Sequence, residues 1–324
     1  MLQFGSLSIK NPYFLAPMAG FTDTCTRRLA KKTGAGLVYT EMISAAGLVR
    51  RQKKTFSLLA FHPDEKPLGV QIFGAEPQVM ADAAQIVYNQ GAAFVDVNLG
   101  CPAKKVCRTG AGAALLQSPY KVGILLEKVR KAISCPLTIK MRLGWDSNSI
   151  YASQIAKIAE ECGIDAIALH PRTRSQLFQG TADWNWIIRL KAERTIPIIG
   201  SGDILNAKDA YKKITNGDCD ALMIGRAARG NPWIFSQIKD LHTGKPPTPI
   251  SSQTQYNDIL QYLEWQFAQY GKAEGLRKVR FLLLHYIKGR AKAAHFRSRL
   301  LSIESPEALQ ELLRDYFLGT AHPA

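Results

Sequence analysis

The sequence predicts an α/β fold: a closed (β/α)8 TIM barrel followed by a small C-terminal bundle of α-helices. Two observations lead to this prediction. Short apolar runs alternate with longer amphipathic stretches over about 230 residues, and the strand pattern stops after a proline-rich linker at 242–252. Alternation of buried strands and helices is typical of a parallel sheet covered by helices.

Eight apolar runs predict strands that are buried on both faces, as the strands of a parallel sheet are. They lie at 13–16, 37–40, 68–73, 94–98, 137–141, 166–170, 198–201 and 221–224. Amphipathic periodicity predicts helices between them, among them 79–90, 120–133, 150–162 and 207–216. Gly91, Gly163 and Gly217 follow predicted helices just before the next strand, as glycines at helix C-termini do.

The number of strands decides between the two common parallel architectures. Eight strands in succession favour closure into a barrel over an open, doubly wound sheet. The first strand is also not followed by the GxGxxG pattern of a dinucleotide-binding sheet. We therefore expect a barrel, with the doubly wound sheet as the alternative.

The linker HTGKPPTPISS marks the predicted domain boundary. Its prolines make it stiff and incompatible with a continuing helix. Beyond it, amphipathic patterns predict helices at 256–270, 276–288 and 306–317. We expect a catalytic barrel over residues 1–245 and a helical domain over residues 252–324.

The charge of the chain indicates a polyanionic partner. Lys and Arg number 42 against 26 Asp and Glu, a net charge of +16, and nine of these cations lie at 272–299 beside the single acid Glu274. Such a field attracts nucleic acid first and an anionic membrane surface second. The helical-domain cations that we expect to contact nucleic acid are Arg277, Arg280, Lys288 and Arg290. A solvated basic face is the alternative.

The remaining composition predicts a cytoplasmic protein without a metal centre. The six cysteines form no CxxC pair, no zinc-ligand spacing with histidine and no disulfide framework. The first residues lack the apolar run of a signal peptide, and the apolar stretch at 281–287 is too short to cross a bilayer. We therefore expect no membrane association, and we infer no obligate protein partner.

Polar residues at the C-terminal ends of the strands are the active-site candidates in a (β/α)8 barrel. Those that close apolar runs here are Gln71, Asn98, Lys140, His170, Ser201-Gly202-Asp203 and Gly225-Arg226. The last two groups follow the seventh and eighth strands, where this fold commonly binds phosphate. Glycine lets backbone N–H groups approach phosphate oxygens, and a guanidinium donates two hydrogen bonds to them. We expect a phosphate-bearing ligand there.

The loop after the fourth strand carries the candidate catalytic residue, Cys101. An ordinary thiol is mostly protonated at neutral pH and can donate a proton. Lys104, Lys105 and Arg108 make the loop basic, and we expect them to lower the thiol pKa, which leaves a nucleophilic role open.

Two further strand ends carry cations. Lys140 at the barrel mouth can neutralise an anion, such as the N1–C2=O edge of a reduced flavin. His170 begins a segment with two more potential cations, Arg172 and Arg174, which favours a role in ligand binding.

These segments together resemble the tRNA-dihydrouridine synthase family, and most closely its bacterial B type. The resemblance covers nearly the whole chain, and its most specific segment is Asn98-Leu99-Gly100-Cys101-Pro102, continued by Lys104-Lys105-Val106. The other matching segments are, in order, 16–23, 40–42, 71–72, 140–142, 170–174 with His170-Pro171-Arg172, and 224–227. Their joint order carries the resemblance.

The resemblance implies an FMN site and a tRNA site. The residues implied for FMN are Pro17, Met18 and Ala19 beside the isoalloxazine, Gln71 and Lys140 at its pyrimidine edge, His170 nearby, and Ser201, Gly202, Asp203, Gly225 and Arg226 around the ribityl chain and phosphate. Those implied for tRNA are Asn98 at the target uracil, with Lys104, Lys105, Arg172 and Arg174 at the rim. Ser201 and Pro171 depart from the Asn and Gly more usual in the family, and Pro171 lacks a backbone donor for phosphate.

The implied reaction reduces the C5–C6 double bond of a D-loop uridine in tRNA to 5,6-dihydrouridine. NADPH, with NADH as an alternative, would reduce FMN; hydride would reach C6, and Cys101 would protonate C5. The target base must leave the tRNA fold first, while the basic helical domain binds phosphates without reading sequence.

Three alternatives remain open from the sequence. A free-pyrimidine oxidoreductase of the dihydroorotate dehydrogenase kind shares the barrel, FMN and loop cysteine, but does not need a basic helical domain. A non-catalytic tRNA-binding protein would keep the barrel without turnover. A flavin-free, aldolase-like barrel would use Lys140 as a Schiff base. Bound flavin that NADPH bleaches would exclude the last two.

Overall fold

A ring of parallel strands forms the centre of the protein. The computed structural model describes residues 1–319, so the last five residues of the helical domain predicted at 252–324 lie outside it. The strands in this range are Leu2–Phe4 (β1), Leu7–Ile9 (β2), Tyr13–Leu15 (β3), Val38–Tyr39 (β4), Ile43–Ser44 (β5), Leu68–Phe73 (β6), Phe94–Leu99 (β7), Leu137–Arg142 (β8), Ala166–His170 (β9), Ile198–Ser201 (β10) and Ala221–Ile224 (β11).

The ring has the predicted strand order. Strands β3, β11, β10, β9, β8, β7, β6 and β4 pair in parallel in this sequence around the barrel. A parallel bridge between Phe14 and Leu37 joins the first strand to the second, and the Leu15 N–H donates to the Leu37 carbonyl at 2.9 Å. The barrel prediction is confirmed, and the doubly wound sheet is excluded.

Helices surround the ring and continue beyond it. They are Thr24–Lys32 (α1), Ala45–Val49 (α2), Lys53–Phe56 (α3), Pro77–Asn89 (α4), Lys104–Cys107 (α5), Pro119–Ala132 (α6), Ala152–Glu161 (α7), Asn185–Glu193 (α8), Ala207–Thr215 (α9), Arg226–Gly230 (α10), Ile234–His242 (α11), Ser252–Tyr286 (α12), Ala293–Ser302 (α13) and Pro306–Leu318 (α14). The four barrel helices predicted between strands are present to within two residues at each end.

A short hairpin closes the N-terminal end of the barrel. Strands β1 and β2 pair antiparallel, and the Phe4 ring is fully buried inside the ring of strands. It packs edge-on against Phe14 and Phe94, with ring centroids 6.0 and 6.3 Å apart. Because Phe14 and Phe94 lie at the beginnings of their strands, the apolar plug leaves only the opposite end of the barrel for a site. The two strands of this hairpin gave no sequence signal.

The helical region packs directly on the barrel. Its apolar core is shared with Phe21 and Leu29 of the barrel and with Trp233, which lies before α11. Polar contacts also cross this boundary: Lys278 Nζ lies 3.1 Å from the Asp23 carboxylate, and Lys32 Nζ lies 2.7 Å from Asp258. The helical region therefore has a fixed position beside the barrel.

Helix α12 combines two predicted helices. Its backbone departs from helical geometry at one residue, Gly271, where φ is 76° and ψ is 172°. Glycine adopts this left-handed conformation without the strain of a side chain. The sequence patterns at 256–270 and 276–288 thus lie on either side of one interruption.

Candidate active site

A cavity of about 590 Å³ opens at the C-terminal ends of the barrel strands. All eleven residues predicted to bind the cofactor line it: Pro17, Met18, Ala19, Gln71, Lys140, His170, Ser201, Gly202, Asp203, Gly225 and Arg226. Asn98 and Cys101 line it as well. The strand-end argument therefore brings together the residues that it selected.

The floor of the cavity is a buried hydrogen-bond network. Asn98 Nδ2 donates to Gln71 Oε1 at 2.8 Å, and Gln71 Nε2 donates to the Asp96 carboxylate at 2.7 Å. Thr138 Oγ1 donates to the other carboxylate oxygen at 2.5 Å. Burial raises the pKa of Asp96 to about 6, although hydrogen bonds from Thr138 and Gln71 oppose the shift. The carboxylate is therefore mostly ionised at neutral pH.

The loop that carries Cys101 is held from two sides. Asn98 Oδ1 accepts hydrogen bonds from the N–H groups of Gly100 and Cys101, at 3.2 and 2.9 Å. On the other side, Arg142 Nε donates to the Gly100 carbonyl at 3.1 Å. The half-buried thiol thus has a defined position at the cavity wall.

Burial raises the pKa of Cys101 above its usual value, and a hydrogen bond from the Ala103 backbone opposes this only in part. The expected lowering by Lys104 and Lys105 is wrong, because both side chains extend into solvent. The thiol is therefore protonated at neutral pH, as a proton donor must be.

Lys140 brings a positive charge into the barrel. It lies beside Asn98 in the register of β7 and β8 and lines the cavity. Burial, followed by repulsion from Arg142, lowers its pKa to about 8, while Asp96 favours the charged form. Most of the side chain population is consequently an ammonium ion at neutral pH.

His170 enters the cavity as a neutral imidazole. It is 8% exposed, and burial, followed by repulsion from Lys140, lowers its pKa far below the usual value. Arg172 Nη1 lies 3.2 Å from His170 Nε2. Because a guanidinium only donates, Nε2 accepts and the ring proton belongs on Nδ1.

Gly202 and Arg226 form the end of the cavity that was predicted to bind phosphate. Gly202 has φ of 120°, and a Cβ atom there would lie 3.0 Å from the His170 ring, so a side chain at this position is disfavoured twice. The Arg226 side chain is 56% exposed, and its Nη2 lies 3.1 Å from the Asp203 carboxylate. A free guanidinium edge therefore remains available at the mouth.

Asp203 orients the cations of this end. Its carboxylate receives two bonds from Arg172, at 2.9 and 2.7 Å, and one from the Ala182 N–H at 2.7 Å. Although burial opposes the shift, these hydrogen bonds hold the pKa of Asp203 below its usual range. An ionised carboxylate repels phosphate, so Asp203 is better placed to hold Arg226 than to meet a phosphate itself.

The predicted tRNA contact of Arg172 is contradicted by its burial. Arg172 is 1% exposed and also donates to the carbonyls of Gln179 and Gly180, at 3.1 and 2.7 Å. Together with the bonds to Asp203 and His170, these contacts occupy all five guanidinium donors. Arg174, in contrast, is partly exposed at the rim, 4.5 Å above the Trp145 ring.

Arg142 and Phe178 were not among the candidates from the sequence, although both line the cavity. Arg142 is 2% exposed and donates to the Thr173 and Leu177 carbonyls, at 2.9 and 2.8 Å, in addition to Gly100. Phe178 is 56% exposed at the mouth, between the guanidinium groups of Arg142 and Arg226. Arg142 could have been found, because it follows Lys140 by two residues and the inner face of a strand repeats every two. Phe178 lies in a loop without such a signal.

The four cations predicted to bind nucleic acid in the helical domain differ in their exposure. Arg277 and Lys288 are exposed, whereas Arg280 and Arg290 are half-buried. The tail also reaches the cavity mouth, because Arg229 lines the cavity and lies 4.7 Å above the ring of Phe281 on α12. In residues 1–319 no helix is long and apolar enough to cross a membrane, and no cluster of His, Cys, Asp or Glu could hold a metal ion.

The chain was compared with solved structures. The barrel resembles a 2-naphthoyl-CoA reductase in complex with 2-naphthoyl-CoA, with a TM-score of 0.59 and 15% identity, over 76% of this chain and 52% of that one. It also resembles a 6-hydroxypseudooxynicotine amine oxidase from Pseudomonas geniculata N1, with a TM-score of 0.56 and 14% identity, over 75% and 48% of the two chains. The chain spans about half the length of these two proteins, and the likeness shows the fold alone.

Proteins with similar sequences identify the family, which the fold alone does not. The tRNA-dihydrouridine synthase B proteins of Xanthomonas campestris and Pasteurella multocida are each 40% identical over 317 residues, which cover 98% of this chain and 96% of theirs. A probable tRNA-dihydrouridine synthase of Rickettsia prowazekii is 35% identical over 98% of both chains. The family described as Dihydrouridine synthase (Dus) matches residues 14–321. The chain therefore belongs to the dihydrouridine synthase family.

Proposed function

We propose that this protein reduces a D-loop uridine of tRNA to 5,6-dihydrouridine with FMN and NADPH, in the cytoplasm. The observation that carries the proposal is one cavity that combines a protonated thiol, Cys101, with a half-buried ammonium group, Lys140, and a cationic mouth at Arg226. Family membership supplies the reaction class. NADH remains the alternative reductant.

The cavity residues fit FMN. The volume of about 590 Å³ lies in the range of small-molecule and cofactor sites. Pro17, Met18 and Ala19 offer an apolar wall for the isoalloxazine. Within residues 1–319 the Lys140 ammonium makes no hydrogen bond or ion pair, so its charge is available to the pyrimidine edge of the ring. Arg226, beside the backbone of Gly202 and Gly225, would hold the phosphate.

Cys101 and its neighbours would handle the proton. Bound FMN would supply the hydride for C6 of the uracil, with NADPH as the reductant. The Cys101 thiol then transfers its proton to C5, so the thiolate left behind must be reprotonated from solvent before the next cycle. Asn98 positions the Cys101 loop through Oδ1, and from the cavity wall it would also contact the base. His170 stays neutral and adds no charge near the flavin.

The helical domain, proposed over 252–324, would bind tRNA phosphates. Exposed Arg277 and Lys288 would provide charge on the helical domain, and exposed Lys104 and Lys105 would provide it on the Cys101 loop. Phosphate contacts of this kind position RNA without reading its sequence. The target uracil must be flipped out of the tRNA before it can reach the cavity.

The direct test uses purified protein, FMN, NADPH and tRNA transcribed without modifications. We expect FMN to be released on denaturation, NADPH to bleach the bound flavin, and mass spectrometry to find dihydrouridine in the D-loop. Free uracil and orotate serve as controls. Flavin-bound protein that reduces a free pyrimidine but leaves tRNA unchanged would replace the proposal with the free-pyrimidine alternative.

A further inference from the structure

Asp96 is a buried carboxylate to which neither the sequence nor the proposed reaction assigns a role. It lies two residues before Asn98 on β7, so both side chains point into the barrel. Asp96 is 1% exposed and lies one layer below the cavity, in register with Gln71 on β6 and Thr138 on β8. A charge in this environment is costly unless its hydrogen bonds are satisfied.

We propose that Asp96 is a positioning residue that sets the orientation of the Gln71 and Asn98 amides and, through them, the position of Cys101. This inference deepens the function proposed above and rests on it for the role of Cys101. Asp96 itself does not reach the substrate.

The direction of the network follows from the acceptor at its base. An ionised carboxylate only accepts hydrogen bonds, so it selects the amide nitrogen of Gln71, 2.7 Å away. The Gln71 carbonyl then faces the Asn98 amide nitrogen at 2.8 Å. That contact leaves Asn98 Oδ1 for the N–H groups of Gly100 and Cys101. Reversing either amide would place donor against donor.

Asp96 also contributes charge beside the cavity. In the register of β7 and β8 it pairs with Thr138, directly before the Asn98–Lys140 pair. Its negative charge favours the ammonium form of Lys140, against burial and the repulsion from Arg142. Orientation and charge are two separable contributions of the same carboxylate, and substitutions can distinguish them.

Asp96→Leu removes the acceptor and keeps a side chain of similar shape. Because the Gln71 amide loses the acceptor that orients it, the Cys101 loop should loosen and expose the thiol. Exposure brings the raised thiol pKa back toward its usual value, so alkylation of Cys101 by iodoacetamide should accelerate severalfold. Peptide mass spectrometry reads this rate without any enzymatic activity.

The same variant tests the link to the reaction. Reduction of tRNA uridine by the pre-reduced enzyme should slow by roughly 10- to 100-fold, since misplacement by about 1 Å can cost a factor of 10². Reduction of bound flavin by NADPH does not use Cys101, so a change in its rate constant would report the lost charge beside Lys140 and not the position of the thiol.

Asp96→Asn is the rescue variant, and Thr138→Val is the matched control. Asn retains an acceptor toward Gln71 in one of its two orientations. The rise in Cys101 alkylation and the loss of tRNA reduction should therefore both be smaller than in Asp96→Leu. Val removes the other hydrogen bond to Asp96 but leaves the Gln71 contact, so Cys101 alkylation should match that of the unsubstituted protein. A thermal denaturation curve for each variant reports folding.

Two outcomes would overturn the inference. One is an unchanged Cys101 alkylation rate in folded Asp96→Leu; the other is an equal acceleration in Thr138→Val, which would indicate general loosening of the barrel. If Asp96→Leu does not fold, Asp96→Val, which also removes the acceptor, takes its place in the same comparison. If the unsubstituted protein fails to reduce tRNA, the proposed function fails while the alkylation comparison still decides the role of Asp96.

Discussion

The barrel mouth and the helical domain are both rich in cations, but they hold them differently. At the mouth, Arg142 and Arg172 are nearly inaccessible, and both donate hydrogen bonds within the protein. In the helical region, Arg277 and Lys288 extend into solvent, and the ion pair of Arg277 with Glu274 lies at the surface. Buried arginines with bound donors fix the positions of the groups around them. Exposed cations act through an electrostatic field, which salt screens. Single substitutions should therefore have large, specific effects at the mouth and small, salt-dependent effects in the helical domain.

The largest effect is expected for Cys101→Ala. Loss of the proton donor should slow uridine reduction by roughly 10² to 10⁴, the usual range for general acid catalysis, with flavin binding and NADPH oxidation retained. Single-turnover oxidation of the pre-reduced enzyme by tRNA measures this step. Cys162→Ala, at the end of α7, is the control; Cys107 is less suitable because its thiol lies 3.4 Å from the Cys101 carbonyl. Equal rates in the Cys101 and Cys162 variants would remove Cys101 from the mechanism.

Arg226→Ala should weaken FMN binding by about 1.5–3 kcal/mol, the contribution of a hydrogen bond to a charged group. The loss of the guanidinium also leaves the Asp203 charge less compensated near the phosphate. Fluorescence titration of the apoprotein with FMN gives the Kd. Arg226→Lys keeps the charge without the bidentate geometry, so its Kd for FMN should lie between those of the unsubstituted protein and Arg226→Ala. An unaltered Kd in Arg226→Ala would place the phosphate elsewhere.

The pH dependence of FMN binding tests Lys140. Burial lowers its pKa to about 8, so the ammonium is present below this pH and is lost above it. Affinity for FMN should therefore decline as pH rises through 8, and a bound anion would move the midpoint upward. The titration of Kd over about pH 7 to 9 covers this window. Lys140→Met should bind more weakly and show no such decline; a decline that persists in it must come from another group.

The smallest single effects are expected in the helical domain. Arg277→Gln and Lys288→Gln should each flatten the slope of log affinity for tRNA against log salt by roughly 0.7–0.9, one phosphate contact each. Lys278→Gln, next to Arg277 on α12, is the control, because Lys278 is bound to Asp23 and should affect stability rather than the slope. Identical slopes in all three variants would leave the exposed cations as a solvated face, with RNA bound through the Lys104-Lys105 loop.

The same contrast explains what the sequence could predict. Strands β6 to β11 are buried on both faces, so continuous apolar runs revealed them, and a polar residue closing such a run had to be functional or paired. The pairing itself was hidden: nothing near Arg172 in the sequence shows that Asp203, 31 residues later, takes up its guanidinium. The burial of Cys101 depends on tertiary contacts in the same way, which is why its pKa shifts opposite to the effect expected from its neighbours.

Short and irregular segments account for the rest. Helix α13 was not predicted, because the preceding residue Lys292 has φ of 57° and its neighbours lack the usual N-cap signal. Strand β5 was also missed, since the second barrel strand is interrupted at 40–42 and resumes for two residues. The interruption brings Met42 to the cavity wall. Such irregularities follow from the packing of the whole barrel rather than from local periodicity.

Arg142 has a consequence for protein engineering. One guanidinium holds the loop of Cys101 through the Gly100 carbonyl and the loop of Phe178 through the Thr173 and Leu177 carbonyls. The two loops come from different strands and are far apart in the chain, yet they share this single anchor. If only one of the two loops is replaced by that of a relative, its carbonyl groups can lie out of reach of Arg142. The buried guanidinium would then have donors without acceptors. Chimeric enzymes with altered substrate preference must therefore exchange the two loops together and keep Arg142 beneath them.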